Sequence, residues 1–401
     1  MDFSITPEDE VFRKELREFL ESNAADFEGA EYPDDPLPHK WSKRRAWQRR
    51  MHEHHWAAIN WPKERGGREA TIMQNFIYSE ETARSQTPGI INAVGIWHVG
   101  PMIIKWGTDE QKALWLDRIL SAEDIWCQGF SEPEAGSDLA NLNTLAVRDG
   151  DHYVVNGQKT WCTTAHLADW GLFLLRTDPG ALARGEKHAG ITAFVVDMHT
   201  PGVEVRPIPD LTGEHDFNDV FFTDARIPVE HRLGGEGEGW LVAMGTLEHE
   251  RVGTAGLSIQ LAEELKAIIA TARQHNPAAL DEPDFRDRIA RAFTQVELTR
   301  LLNARALSKI LKGGKTWPEV PLAKLQWSYL SQTLAELNVD LLGQDGLLWK
   351  GGPDAVDDGK WSRLYPYQRY TSIGAGTTEV QKNVLADRAL KMAKKPREQK
   401  G

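Results

Sequence analysis

Two segments of this chain carry residue types suited to gripping a flat ligand. From Trp126 the sequence reads WCQGFSEPEAGSDLA, and from His152, after a turn-rich gap, HYVVNGQKTWCTT. The first gathers Ser131, Glu132, Pro133, Glu134, Ala135, Gly136, Ser137 and Asp138. Such a loop can press its backbone against a ligand, because Gly136 tolerates unusual dihedrals and Pro133 stiffens the approach. The second reads as a strand pair, with Asn156-Gly157 favouring a tight hairpin turn between Tyr153, Val154, Val155 and Thr160, Trp161. Ser131 on one loop, with Trp161 and Thr163 on the other, offers hydroxyls and one large aromatic to the edges of a planar cofactor. An ordinary β-domain with polar loops accounts for the same spacing.

Composition bounds what the rest of the chain can be. Its 401 residues are enough for two or three domains and a sizeable core. A hydrophobic content of 41% and a charged content of 26% are ordinary for a soluble globular protein. No apolar run is long enough to span a bilayer and no basic-apolar leader follows Met1, so the expected location is the cytoplasm. A formal charge of −12, with no basic stripe through the body, argues against nucleic acid but leaves room for a coenzyme A phosphate held by a few local donors. The two cysteines, Cys127 and Cys162, suit a reducing compartment and show no metal-ligand spacing. Both read as small packing residues near the two loops rather than as nucleophiles. Fifteen tryptophans are expected in the core, at a subunit interface, or lining a roomy apolar pocket.

Three zones position the loops. Thr6-Pro7-Glu8-Asp9 is a helix start, followed by an apolar stripe of Val11, Phe12, Leu16, Phe19 and Leu20. Further helices are expected around 40–57, 70–86, 90–105 and 108–120, the last capped by Thr108. From Ile125 to about Arg232 the runs turn β-type: Leu145–Val147, Tyr153–Val155, Gly171–Arg176, Ile191–Asp197, Val203–Ile208 and Val220–Phe222. Asp149-Gly150, Asn156-Gly157 and Pro201-Gly202 punctuate them. Helical periodicity returns from about Trp240 to Ala272, then over 282–313, 318–344 and Glu379 to Met392. The polar tail, 394–401, is expected to be disordered.

In this order and spacing, GTDEQK at 107–112, SEPEAGSD at 131–138, NGQKTW at 156–161 and GAGTTEVQKN at 374–383 resemble the acyl-CoA dehydrogenase family over nearly the whole chain. The resemblance implies an α+β fold with an N-terminal helical domain over 1–124, a middle antiparallel β-domain over 125–232 that binds flavin and acyl-CoA, and a C-terminal helical bundle over 233–393 that carries the base and the oligomer core. It implies FAD as cofactor, an acyl-CoA substrate and an electron-transfer flavoprotein as acceptor. Phe130, Ser131, Trp161 and Thr163 match residues beside the isoalloxazine ring. Thr377 and Glu379 match the loop that meets the adenosine half of FAD, and Ser137 a position near coenzyme A.

Removal of a Cα proton needs a carboxylate in a pocket dry enough to raise its basicity. Donors must also meet the charge that develops on the thioester oxygen. Many family members place a glutamate just before the Gly-Thr of the C-terminal loop, where this chain has Ala375. Isovaleryl-type and long-chain members carry the base in a Glu-Arg pair on the first long C-terminal helix, which Glu250-Arg251 matches. Glu250 is therefore the expected base, with Arg251 toward the substrate; a solvated helical ion pair is the alternative. Glu248 lies roughly 200° around the helix and faces away. A helix-borne base is found in members that take branched or long chains, so a bulky or branched acyl-CoA is the expected substrate.

Three departures bear on assembly. Most homotetrameric members have an Arg-x-x-Phe-Gly element that reaches a neighbour's FAD; this chain reads ARQHNPAAL at 272–280, with Arg273 the sole remnant. Asp340 stands where many members have a glutamine, and an insert rich in glycine and aspartate occupies 351–361. Such departures resemble heteromeric members acting on sterol side-chain or dicarboxylic acyl-CoAs. A homo- or heterotetramer with a related chain follows as the expectation. A non-catalytic partner subunit, or a flavin oxidase or monooxygenase on the same fold, are the competing readings.

Overall fold

The structure is a computed structural model that describes residues 5–27, 38–85, 87–250, 254–311 and 318–392. Side chains at 38–41, 247–250, 254–255 and 310–311 lie outside that description. The polar tail at 394–401 also lies outside the described residues. The chain divides into two compact units, one of residues 10–252 and one of 253–401 with 1–9.

Helix α1 (Pro7–Asn23) begins at the proline, and the cap is reciprocal. Thr6 Oγ1 accepts from the Asp9 amide at 3.2 Å while Asp9 Oδ2 accepts from the Thr6 amide at 3.1 Å. Next come α2 (Pro38–Glu53) and α3 (Ile72–Ser85). The helix expected over 90–105 contains a π turn, Gly95–Val99, that runs into α4 (Gly100–Trp106). Helix α5 (Asp109–Leu120) starts from Thr108 with both halves of a capping box, Gln111 supplying the second. Buried Glu81 on α3 receives Arg13 at 2.9 Å and Arg17 at 2.8 Å, which fixes α1 against α3.

The sheet follows: β1 (Trp126–Gly129), β2 (Leu145–Asp149), β3 (His152–Lys159), β4 (Trp170–Arg176), the short α6 (Gly180–Ala183), β5 (Ile191–Asp197), β6 (Val203–Ile208), β7 (Phe217–Pro228) and β8 (Arg232–Leu233). Their order is β6-β7-β3-β2-β4-β5-β8, with β1 on β4. The sheet is mixed rather than purely antiparallel, since β1 and β2 each pair β4 in parallel. Its core joins Tyr153, Val155, Phe173, Phe194, Val220 and Phe222 with both cysteines, all buried. Burial pushes the Cys127 thiol well up and the Cys162 thiol up to about 12, so both are packing thiols at neutral pH. An aromatic cluster of Trp115, Trp126, Trp170 and His231, ring centroids 5.5–6.0 Å apart, holds α5 to the sheet.

Asn156-Gly157 does not turn the chain. Both residues sit inside β3, opposite a bulge in β7 where Val155 pairs Ala225 but Gly157 pairs Phe222. Asn156 and Asp224 close the bulge with two reciprocal bonds of 3.0 Å. The hairpin turns instead at Gly150-Asp151, since Asp149 pairs His152. The alternation of buried Tyr153 and Val155 sets the register, and that long-range pairing overrides the local turn preference of Asn-Gly.

Helix α7 (Gly239–Glu250) belongs to the same unit as the sheet. A Cβ on Gly239 would lie 2.6 Å from the Thr192 backbone on β5, and one on Gly245 2.9 Å from Met102 on α4. Both glycines therefore serve close helix packing. The second unit contains α8 (Thr254–His275), α9 (Pro283–Leu311), α10 (Glu319–Leu342), α11 (Lys360–Tyr367) and α12 (Thr378–Val384). Leu261, Leu265, Ile268, Val296, Leu334, Leu337 and Leu341 build its core. The insert over 351–361 folds on itself: Asp357, Asp358 and Gly359 all take left-handed φ, and Trp361 Nε1 donates to Asp357 Oδ2 at 2.6 Å.

Gly157 and Gly150 make a controlled pair. Gly157 has φ +145°, and a Cβ there would sit 2.8 Å from Thr144; Gly150 has φ +62° with open space around it. G157V should lower the melting temperature by the equivalent of about 1–3 kcal/mol, whereas G150N should cost about 0.5 kcal/mol or less, as read by thermal denaturation.

Candidate active site

The two loops singled out in the sequence are brought together in the first unit. The Thr160 amide donates to the Ser131 carbonyl at 2.9 Å, one residue past the end of β3. Beneath this contact lies a buried ion pair. Lys159 Nζ reaches Glu132 Oε1 at 2.7 Å and the Phe130 carbonyl at 3.3 Å, and Glu132 also accepts from the amides of Asn143 at 2.6 Å and Thr144 at 2.9 Å. Burial by itself pushes the Glu132 carboxyl up, but Lys159 and the bonds from Thr144 and Asn143 outweigh it and hold it below the usual range. Burial pulls the Lys159 ammonium below its usual value, with Glu132 opposing. The far end of the loop is fixed by fully buried Arg176, which donates to the carbonyls of Ala140 at 2.7 Å and Ala189 at 2.8 Å.

On this base the expected ring-contacting residues differ in exposure. Phe130 is buried and Ser131 half-buried, while Thr163 and Ser137 are exposed. Trp161 is 58% exposed although it is the largest side chain of its loop. Its φ is +60° and that of Thr164 is +57°, a conformation unusual for bulky or β-branched residues. Only Phe217 meets the indole as an aromatic neighbour among the described residues, edge-on at 5.9 Å. An exposed aromatic held in a strained backbone signals a surface shaped for a partner rather than for the core.

The second unit presents the other loop. Ala375 and Gly376 take φ +52° and +82°, turning the chain into α12. Thr377 caps that helix, accepting from the Val380 amide at 3.1 Å, and Glu379 is the acid of its first turn. Both also line a cleft of about 280 Å³ with Tyr329, Gln332, Ser372 and Lys382. Thr378 Oγ1 beside them is buried with no partner among the described residues. The preceding segment is anchored by Lys324 and Ser328, both donating to the Thr371 carbonyl at 2.7 Å. Asp340 pairs with Arg288 at 2.7 Å, and Arg273 ends α8 exposed. The Glu250 side chain and all of Arg251 lie outside the described residues, although residue 250 closes α7.

Glu132, Lys159, Tyr329, Gln332 and Lys382 were not singled out from sequence. Glu132 and Lys159 stand inside the quoted motifs, 27 residues apart, and opposite charges at that separation carry no pairing signal until strands are registered. Lys382 follows Thr378 by one helical turn, which does place both on one face.

Three family models cover the chain: the acyl-CoA dehydrogenase N-terminal domain over residues 6–123, the middle domain over 127–225 and the C-terminal domain over 237–390. The chain belongs to the acyl-CoA dehydrogenase family, whose members are oxidoreductases. It is 38% identical over 397 residues to the acyl-CoA dehydrogenase IpdE1 of Mycobacterium tuberculosis, covering 98% of this chain and 99% of that one. It is 30% identical over 402 residues to the acyl-CoA dehydrogenase FadE29 of the same organism, covering 99% and 100%. Among solved structures, the ChsE4–ChsE5 complex from Mycobacterium tuberculosis matches with a TM-score of 0.82 at 30% identity, and the Tcur3481–Tcur3483 steroid ACAD with 0.83 at 28%. Each covers 98% of this chain and 100% of the matched chain.

The ion pair under the loops gives a signed prediction. K159M leaves Glu132 buried without its cation and should cost about 3–5 kcal/mol, with K159M/E132Q recovering a large part. Glu132 is depressed in the folded state, so its contribution is present above the ordinary value of 4.5 and is lost as pH falls through the folded value. The gap in melting temperature between parent and K159M should therefore narrow on acidification.

Proposed function

We propose that this chain dehydrogenates an acyl-CoA thioester across Cα and Cβ to the trans-2-enoyl-CoA, with Glu250 as the base. The observation that carries this is a pairing of absence and presence. The turn that holds a glutamate in many relatives carries Ala375, in a left-handed conformation. The helix that ends at Glu250 packs through Gly239 and Gly245 into the same compact unit as both ring loops. A base on α7 thus belongs with Ser131 and Trp161 in one folding unit.

The residues present fit FAD. In the first unit, exposed Trp161 beside the tied Ser131 carbonyl suits a planar ring; in the second, taken by itself, the buried Thr378 hydroxyl, without a partner among the described residues, suits a polar contact to a dinucleotide. Phe130, Ser131, Trp161 and Thr163 would hold the ring, and Thr377 and Glu379 the adenosine half. FAD held there would supply the acceptor for the Cβ hydride, with an electron-transfer flavoprotein as the proposed acceptor of its electrons. Glu250 takes the Cα proton; Arg251 and Ser137 are assigned to the acyl-CoA. A helix-borne base suits a bulky or branched acyl group, and one structural neighbour is a steroid ACAD. That neighbour and the ChsE4–ChsE5 complex each pair two chains, which supports a heterotetramer of this chain with a related one.

E250Q should still bind FAD yet lose flavin reduction by substrate by a factor of about a hundred to ten thousand, since an amide cannot take the proton. Anaerobic bleaching of the flavin by a panel of bulky acyl-CoAs checks this; reduction at the parent rate removes Glu250 as base. A parent that binds FAD but no acyl-CoA points to the partner-subunit reading, and rapid reoxidation by oxygen points to an oxidase.

Assembly is tested separately. Co-expression with a related chain should raise soluble yield and flavin content together. A homo-oligomer that holds one FAD per chain and turns over unaided would end the heteromer proposal and leave the enzyme assignment in place.

A further inference from the structure

We infer that Asn218 is a positioning residue for the cofactor ring, setting the pose of Trp161 and Thr163 through the peptide between them. The inference rests on the flavin reading above and adds to it a residue outside both loop motifs.

Residues 160–164 run beyond β3 without regular structure, and two of them hold left-handed φ. Such a conformation costs on the order of 1–3 kcal/mol per residue and persists only where the surroundings over-determine it. At the two ends the anchors are backbone: Thr160 to the Ser131 carbonyl at 2.9 Å, and the Thr164 amide to the Asp216 carbonyl at 3.0 Å. In the middle Asn218 supplies the two shorter bonds to the Cys162 backbone, beside a longer one of 3.4 Å from the Ala165 amide to the Cys162 carbonyl. The Cys162 amide donates to the Asn218 carbonyl at 2.9 Å, and Asn218 Nδ2 donates back to the Cys162 carbonyl at 3.0 Å. Cys162 is thereby gripped on both sides with its side chain fully buried, while Trp161 and Thr163 are exposed. Rotation of either neighbouring peptide would break one of these bonds.

The second hydrogen on Asn218 Nδ2 is also engaged, with Nδ2 3.1 Å from His166 Nδ1. The Cys162 carbonyl can only accept, so Nδ2 is the donor there, and His166 accepts as a neutral ring protonated at Nε2. His166 is exposed at the surface, yet partial desolvation of its ring first, then the neighbouring imidazole of His215 at 5.0 Å, lower its pKa; Asn218 and Asp216 oppose them without reversing the direction. The neutral ring that the network requires is thus the one favoured at neutral pH.

Asn218 is fully buried and its Oδ1 has no partner among the described residues. A buried acceptor left unmade is unfavourable, so simple filling of β7 is better served by threonine or valine. What asparagine offers here is an NH2 group aimed at two acceptors. Aspartate has the same shape but no hydrogen for either.

The test uses the flavin-loaded enzyme, with its partner chain where one is needed, and compares N218A, N218D, H166L and H166N. N218A and N218D should keep FAD and a KM for acyl-CoA within about twofold of the parent, while kcat falls by about tenfold to a hundredfold. The bound flavin should fluoresce more strongly as the indole leaves the ring. H166L should shift the same readouts in the same direction by less. H166N, whose Oδ1 can accept the same hydrogen, should return toward the parent. A lowered melting temperature with parent kcat and parent fluorescence would make Asn218 purely structural and overturn the inference. Should the Asn218 variants fail to fold, identical fluorescence and kcat in H166L, H166N and the parent overturn it equally. A parent that takes up no FAD brings down the flavin reading, and this inference with it.

Discussion

The Lys159–Glu132 pair is the interaction on which the surface formed by the Ser131 and Trp161 loops depends. Lys159 has been taken fully out of water and Glu132 nearly so, which is costly unless each finds a partner and further hydrogen bonds. Both do: the carboxylate collects two amides from the far end of its own loop, and the ammonium collects a carbonyl from the near end. The gain is geometric rather than energetic. A loop whose only regular piece among the described residues, beyond one bridge, is the short 3-10 turn Leu139–Asn141 is fixed at both ends to the last residue of β3, and the strand edge continues directly into the Trp161 loop.

Above that staple the structure trades backbone comfort for presentation. Trp161 and Thr164 occupy left-handed positions, so successive side chains leave the loop in directions a strand would not permit. Buried Cys162 acts as the pin and exposed Trp161 as the offered surface. Preorganised sites are built this way: the contacting groups are rigid because the groups behind them have no alternative arrangement. The close approach of α7 through Gly239 serves the same end for the helix that carries the proposed base, since any side chain there would lift the helix from β5.

The second unit solves a different problem. Its final turn is free of a carboxylate at 375 and is shaped by two left-handed residues in succession. Buried Lys324 and Ser328 converge on one carbonyl to hold the approach to that turn, while Thr377 caps α12 and the Thr378 hydroxyl has no partner among the described residues.

Much of this was legible in the sequence. Cap residues at Thr6 and Thr108, apolar periodicity in the long helices and β-type runs from Leu145 to Phe222 gave the three zones, because these signals are local. The four motifs in order gave the family. What the sequence could not fix was anything decided by pairing across distance. Asn156-Gly157 looked like a turn and lies within a strand, since register follows the burial of Tyr153 and Val155. Strand β1 is four residues long and mostly buried, so it lacked alternation. Glu132 with Lys159, and Asn218 with Cys162 and His166, become partners only when β3, β7 and their loops are brought side by side. Tertiary structure alone decides such contacts, because a buried hydrogen bond depends on where chain segments meet, and the types and spacing of residues along one segment do not contain that information.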